Sequence, residues 1–407
     1  MSHADGASPS APARPGAAPA AGDEALGFSL VRGDLLFRLQ RAIGLIPADG
    51  LGIGRRIVFF VLVAYVPIAV WAAVAGRMLP GVAAEPLLQH FGVHVRFLVA
   101  IPLFILAEGL AHARTTVTLP YFVRSGLVTE ADLPRFRDTV RGVARLRDAS
   151  LPWVVIASVV AAWTVFGTVH QTHEVEWAVA PGPTRLGFGG WWFLYVARPI
   201  YIAFALAWLW RLVLLTVLLV RIARLDLALV PTHPDRVGGL GFLERLPAVF
   251  QPVVLGASAV VSSAWAHQVL YHDVSLQALR APMVAFVLLM LVVVLAPLVA
   301  LAPTLIAARR RALLEYGALV GEHGRLVRRR WVLGERLPDD GILAAPEIGP
   351  VADTLALYGA VRDMRGVPVG KPALLAVVVP ALIPILCVVA IRIPVRTLLL
   401  GVLKALA

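Results

Sequence analysis

The chain has 407 residues, 59% of them hydrophobic and only 15% charged, with a formal net charge of +12. A soluble domain carries about 25% charged residues, and here the apolar residues gather in runs of about 20, which need lipid as their solvent. The runs do not alternate with period 2, which excludes a closed barrel and leaves an all-α polytopic transmembrane helix bundle.

In chain order, residues 1–25 are rich in Ala, Pro, Ser and Gly and lack the apolar core of a signal peptide. They are expected to form a disordered cytoplasmic tail. Residues 26–56 read as a juxtamembrane interfacial segment. The bundle, 57–391, contains seven hydrophobic segments, at 57–75, 95–112, 151–170, 191–220, 248–271, 282–307 and 373–391. The fourth exceeds the length that the hydrocarbon core needs, so it must tilt, bend or protrude. Residues 392–407 form a C-terminal tail expected at the interface. The single cysteine, Cys387, lies in the last run, so neither an intrachain disulfide nor a Cys metal cluster can form.

Orientation follows from the 37 basic residues, all arginine except Lys371 and Lys404. A cytoplasmic N-terminus puts 28 of them in the N-terminal region and in loops 113–150, 221–247 and 308–372, against 7 on the outer side. This asymmetry favours an N-in, multi-pass topology and explains the charge without a nucleic-acid partner. Within 131–148, Leu133, Phe136, Val140, Val143 and Leu146 recur at helical spacing, with arginines largely opposite. Such a helix beside a membrane is expected to meet anionic lipid headgroups at the cytoplasmic face, with a protein partner as the rarer option. A homo-oligomer is a further expectation. Region 309–333 reads as a continuation of the sixth span, with Pro297 and Pro303 able to kink it. A weak helix follows at 350–364.

Six of the ten histidines fall at outer helix ends or loops, as the pairs His90/His94, His170/His173 and His267/His272. The first two spacings, i,i+4 and i,i+3, can place both imidazoles on one helix face. Glu174, Glu176 and Asp273 lie beside two of the pairs. Imidazole with carboxylate suits a divalent transition metal, so His90, His94, His170, His173, Glu174, His267 and His272 are the candidate ligands. A proton site would use the same residues, and so would plain interfacial histidines.

Two charges lie inside spans. Glu108 and Arg211 would satisfy each other as a pair, although each can also reach the inner interface alone. Arg198, near an outer end, is expected to reach headgroups. In the fifth span Ser258, Ser262 and Ser263 form a small-residue pattern that permits close packing, or else a polar path out to His267.

The loop "PTHPDRVGGLGFLERL" at 231–246 holds His233, Asp235, Arg236, Gly238, Gly239 and Gly241. It lacks the Lys-Ser/Thr ending of a Walker loop, and its membrane-span neighbours are unlike the soluble domain that carries an His-Pro-Asp tripeptide. A buttressed reversal explains the prolines and glycines. A functional alternative is an anion cradle made by glycine N–H groups and Arg236, with His233 and Asp235 as a proton relay.

The stretches "LLFRLQRAIGLIPADGLGIGRR" at 35–56, "HPDRVGGLGFL" at 233–243 and "VRDMRGVPVG" at 361–370 resemble bacterial multi-pass inner-membrane proteins of uncharacterised activity that carry an HPDRxGGLGFL-type cytoplasmic loop. The resemblance covers nearly everything after the N-terminal tail and implies a bacterial inner membrane. It brings no activity with it. The residues therefore favour a transporter or channel for a small ion, a proton or a divalent metal. The alternative is a non-transporting scaffold or sensor. No nucleophile–base arrangement points to an enzyme. A polar cavity near the bilayer midplane would mark transport, and a dry core would mark a scaffold.

Overall fold

The structure is a computed structural model and describes residues 28–80, 85–170, 173–179, 186–335 and 349–393, with side chains placed except at 166–170, 173–174 and 349–352. Among the described residues seven helices are long and apolar enough to cross a membrane. After a short helix α1, Leu35–Ala42, the first span is α2, Ile53–Val74, and the second is α3, Phe91–Arg124. The third joins two pieces, α4 (Leu133–Asp148) and α5 (Leu151–His170), parted at Ala149, whose φ of −64° and ψ of 145° are extended. The fourth span is α6, Phe188–Ala223. Tight 3₁₀ turns over Gly241–Phe250 then lead into the fifth, α7, Gln251–Tyr271. The sixth is α8, Leu276–Val299, and the last is α11, Lys371–Ala390.

Between them, α9 (Ala302–Val327) restarts after a break at Ala300–Leu301. Pro303 sits in its first turn, where a missing N–H costs nothing. It packs on α10, Gly349–Arg362, and Arg309 donates to the Arg362 carbonyl at 2.6 Å. The bundle thus has an arginine-rich face, which carries α1, α4, α9 and α10, and an opposite histidine face.

At 36 residues α6 would run ~54 Å, well past the hydrocarbon core. It does not stop at the interface, because its end forms the seat for α4. Phe136, Val140 and Val143 are buried there, and the Phe122 and Phe136 rings lie 5.8 Å apart. The apolar side of this helix is therefore covered by the bundle. That side is used inside the molecule, and arginines such as Arg135 and Arg141 are left facing outward.

Both α3 and α6 widen into a π-helical turn, at Val95–Ala100 and Phe193–Ala197. The two turns meet through Phe97 and Phe193, whose ring centroids are 6.0 Å apart. Further along both helices, the Trp208 indole donates to the Phe104 carbonyl at 3.0 Å and locks the same helices together. Arg198 is buried here rather than reaching headgroups, because the π-turn and Pro199 set it inside the bundle.

The segment before α2 does not lie loosely at the interface. Phe28, Leu30, Val31, Phe37, Leu45 and Ile46 are buried, so residues 28–46 close the arginine-rich end of the bundle. Three polar ties hold them. Ser29 Oγ meets His112 Nδ1 at 3.0 Å, Arg147 donates to the Ser29 carbonyl, and Arg38 donates to the Asp148 carbonyl at 3.0 Å.

Candidate functional site

On the histidine face, Glu85 gathers three imidazoles. Its Oε2 lies 3.5 Å from His90 Nε2 and 3.5 Å from His267 Nε2, and its Oε1 lies 4.0 Å from His272 Nε2. Ligands ~2.1 Å from a tetrahedral ion stand ~3.4 Å apart, so small side-chain adjustments would let this set hold one. Glu85, His267 and His272 offer donor atoms all within 4.8 Å of one another. His90 stacks on His267 at 5.5 Å, and its Nε2 is buried without a hydrogen-bond partner among the described residues.

Burial pulls the His90 pKa down, against the pull of Glu85 and with help from His267. The ring is then neutral, and so ready to ligate, at physiological pH. His267 Nδ1 contacts the Gln89 carbonyl at 3.1 Å, the outer-sphere bond that orients a ligating imidazole.

These groups line a cavity of about 560 Å³ together with Arg96 and Ser263. Arg96 is the second residue of the α3 π-turn.

The other predicted ligands fare differently. His94 belongs elsewhere: its Nδ1 meets Tyr65 Oη at 2.9 Å and its Nε2 meets the Leu87 carbonyl at 3.0 Å. The reason is local. His90, with φ −83° and ψ 71°, precedes the helix that starts at Phe91, so the i,i+4 spacing never becomes a shared helix face. The side chains of His170, His173 and Glu174 lie outside the described residues. Asp273 turns away to Arg392 at 3.3 Å. Glu85 carried no signal in the sequence beyond being one acid in an outer loop.

At the opposite end, Glu108 and Arg211 meet, with Oε1 and Nη1 2.9 Å apart. They are half of a larger set. Arg56 Nη2 reaches Glu108 Oε2 at 2.5 Å, and Arg211 Nη2 reaches Asp34 Oδ2 at 2.8 Å. Arg56 Nε also donates to Gln40 Oε1 at 2.5 Å. All four charged side chains are at most 1% exposed, and two carboxylates balance two guanidiniums.

Asp34 holds two partners at once. Its Oδ1 caps α1 by accepting from the Phe37 N–H at 2.7 Å, while Oδ2 faces Arg211. The Trp208 ring covers the Arg211 guanidinium at 5.0 Å. The network is a buried lock between α1, α2, α3 and α6.

The serines of α7 divide between the two roles weighed for them. Ser258 donates to the Ala381 carbonyl of α11 at 2.6 Å, which is close helix packing. Ser263 bonds back to the Val260 carbonyl at 2.7 Å and also lines the cavity. Ser262 Oγ is buried without a hydrogen-bond partner among the described residues.

The loop between α6 and α7 is organised around Asp235. Oδ1 accepts from Val237 N–H at 2.9 Å and Gly239 N–H at 3.2 Å, and Oδ2 accepts from Gly241 N–H at 2.8 Å. His233 Nδ1 stands 2.9 Å from Oδ1. The anion-cradle reading is corrected by this geometry, because the loop's own carboxylate occupies the N–H groups that a phosphate would need. Burial pushes the Asp235 pKa up, but the three N–H donors and His233 outweigh it and hold it below the usual carboxylate value.

Arg236 (φ 60°), Gly238 (φ 67°) and Gly239 (φ 98°) turn the chain left-handed. A side chain on Gly241 would sit 2.8 Å from Asp235 Cβ. The Arg236 carbonyl accepts from the Arg365 N–H at 2.7 Å, and the Arg365 guanidinium reaches the Asp235 carbonyl at 3.1 Å, Glu244 Oε1 at 2.5 Å and the Val369 carbonyl at 3.1 Å. The stretches 233–243 and 361–370, far apart in sequence, thus form one docked unit.

No protein-family model, curated protein or solved structure matches the chain.

Proposed function

We propose that this membrane protein transports a divalent transition-metal cation, captured from the outer side of a bacterial inner membrane in a state open outward and closed inward. The arginine-rich face is then cytoplasmic, as the distribution of basic residues favours. The observation that carries the reading is the convergence of Glu85, His90, His267 and His272 at the mouth of a 560 Å³ cavity. The cavity reaches Ser263, one of the α7 serines. On this reading, passage inward must cross the α3–α6 contact and the Asp34–Arg211–Glu108–Arg56 lock. Inward release requires that lock to open.

Two observations favour a sensor that binds the ion without passing it. Glu108 and Arg211 are sealed in the lock and do not line the cavity. Arg96 lines the cavity, and a guanidinium there opposes a cation moving inward. The two readings separate in one experiment. Purified wild-type protein and a His90→Ala/His267→Ala variant are titrated with Zn²⁺ and then reconstituted into vesicles loaded with a metal-sensitive dye. Transport predicts tight binding and dye response for the wild type, with both lost in the variant. Binding without dye response makes the protein a sensor. Equal metal content in the two proteins removes the metal reading altogether.

A further inference from the structure

We infer that α1 is a phospholipid-binding element, with Arg32, Arg38 and Arg41 forming a seat for the phosphate of an anionic headgroup. The inference rests on the membrane fold alone and does not depend on ion transport.

The sequence of α1 divides into three sectors at 100° per residue. Phe37 and Gln40 are buried against the bundle. Gln40 bonds Arg56 in the first turn of α2, which places α1 at the level where the first span enters the membrane. Leu35, Leu39 and Ile43, each four residues apart, are 40%, 58% and 58% exposed and face away from the bundle. An apolar stripe at that level is suited to lie against acyl chains. Arg38 and Arg41 lie in the remaining sector, between the bundle and the stripe.

These two arginines and Arg32 line one cleft of about 320 Å³, whose other walls include Gly33, Pro47 and Gly50. Among the described residues no carboxylate pairs with any of the three, and none lines the cleft. Among the described residues Arg38 is the one of the three whose guanidinium has a hydrogen-bond partner, the Asp148 carbonyl. Three guanidiniums with spare donors beside a lipid-facing stripe match a phosphodiester whose acyl chains lie along Leu35, Leu39 and Ile43. The apolar stripe is what selects a lipid over a free anion.

The opposite sector of the same helix carries Gln40, and Asp34 caps its start. A headgroup in the cleft therefore holds α1 where Asp34 meets Arg211, and anionic lipid strengthens the lock.

The test uses full-length protein, stripped of lipid in detergent, melted with and without added phosphatidylglycerol. Wild type should gain roughly 3 °C or more at saturating lipid, and neither phosphatidylcholine nor inorganic phosphate should reproduce the gain. Arg32→Gln/Arg41→Gln should abolish it, with Arg38 kept because it also ties down Asp148. The single variant Arg41→Gln should lose about half. Arg135→Gln/Arg141→Gln, on the exposed side of α4, should keep it in full. The inference is overturned if the cleft variants retain the gain, if the α4 variant loses it equally, or if phosphatidylcholine or inorganic phosphate gives the same shift.

Discussion

Asp34 and Arg211 lie 177 residues apart in the chain and 2.8 Å apart in the fold. The contact joins a helix cap to a buried guanidinium, so it couples the seating of residues 28–46 to the centre of the bundle. Removing one member of a buried pair leaves an uncompensated charge, which costs about 3–5 kcal/mol. Glu108→Gln should therefore lower the melting temperature markedly, since it leaves two guanidiniums facing one carboxylate. Adding Arg56→Met should recover part of the loss, because the Asp34–Arg211 pair is then left intact and balanced. A double variant whose loss equals the sum of the two singles would show that the groups do not act together.

The same lock should respond to Asp34→Ala in a different way. This change removes both the cap and the partner of Arg211, while the rest of the bundle keeps its packing. Trypsin should then cut at Arg32, Arg38 or Arg41 faster than in wild type, by about tenfold for each ~1.4 kcal/mol of lost seating. Unchanged cleavage would mean that apolar burial alone holds the segment.

The spans were legible in the sequence because lipid imposes one strong rule on composition, and the seven apolar runs obey it. Glu108 and Arg211 stood out for the same reason: a charge inside an apolar run has few places to go. Asp34 and Arg56 did not stand out. They lie where charges are ordinary, and nothing in the run 26–56 says that the chain folds back under the bundle. Its only local mark is Asp34 directly before "LLF", a cap followed by an apolar turn. Glu85 was missed because the ligand set depends on two distant segments meeting, 85–90 and the end of α7. His94 was misplaced because the helix begins one residue after His90, and boundaries are what spacing resolves least.

Asp235 gives a prediction with a sign. Its folded pKa is depressed below the ordinary 3.8. Its contribution is therefore fully present above that value and is lost as pH falls through the depressed one. The difference in melting temperature between wild type and Asp235→Asn should be flat from neutral pH down to about 4 and should close at lower pH. At neutral pH Asp235→Ala should cost about 2–3 kcal/mol, because three backbone donors lose their acceptor. A difference that stays constant into strong acid would rule out the carboxylate as the loop's organiser.

At the histidine face the sign follows from His90, whose folded pKa is lowered below the ordinary 6.5. Its neutral form is favoured by the fold, so the associated stability is present above 6.5 and lost as pH falls through the lowered value. The same proton competes with a metal. Zn²⁺ should raise the melting temperature at pH 7.5, and the rise should survive to lower pH in wild type than free imidazole would allow. Glu85→Gln should weaken binding by more than about tenfold, the scale on which even outer-sphere partners act. Binding that is indifferent both to pH and to Glu85 would place the ion elsewhere.

The α7 serines separate packing from passage. Ser258 bonds the Ala381 carbonyl across the α7–α11 contact at 2.6 Å. Interhelical bonds of this kind in lipid contribute about 0.6 kcal/mol on average, so Ser258→Ala should cost about that much stability. Ser262 has a buried hydroxyl without a hydrogen-bond partner among the described residues, and such a group is a cost to the resting fold. Ser262→Ala should therefore leave the melting temperature unchanged or raise it. If the hydroxyl exists to meet an ion in transit, the same variant should slow metal flux in vesicles by several-fold. A variant that is no less stable and slower assigns Ser262 to the pathway, whereas one that is no less stable and equally fast confines the serines to helix packing and ends the route at Ser263.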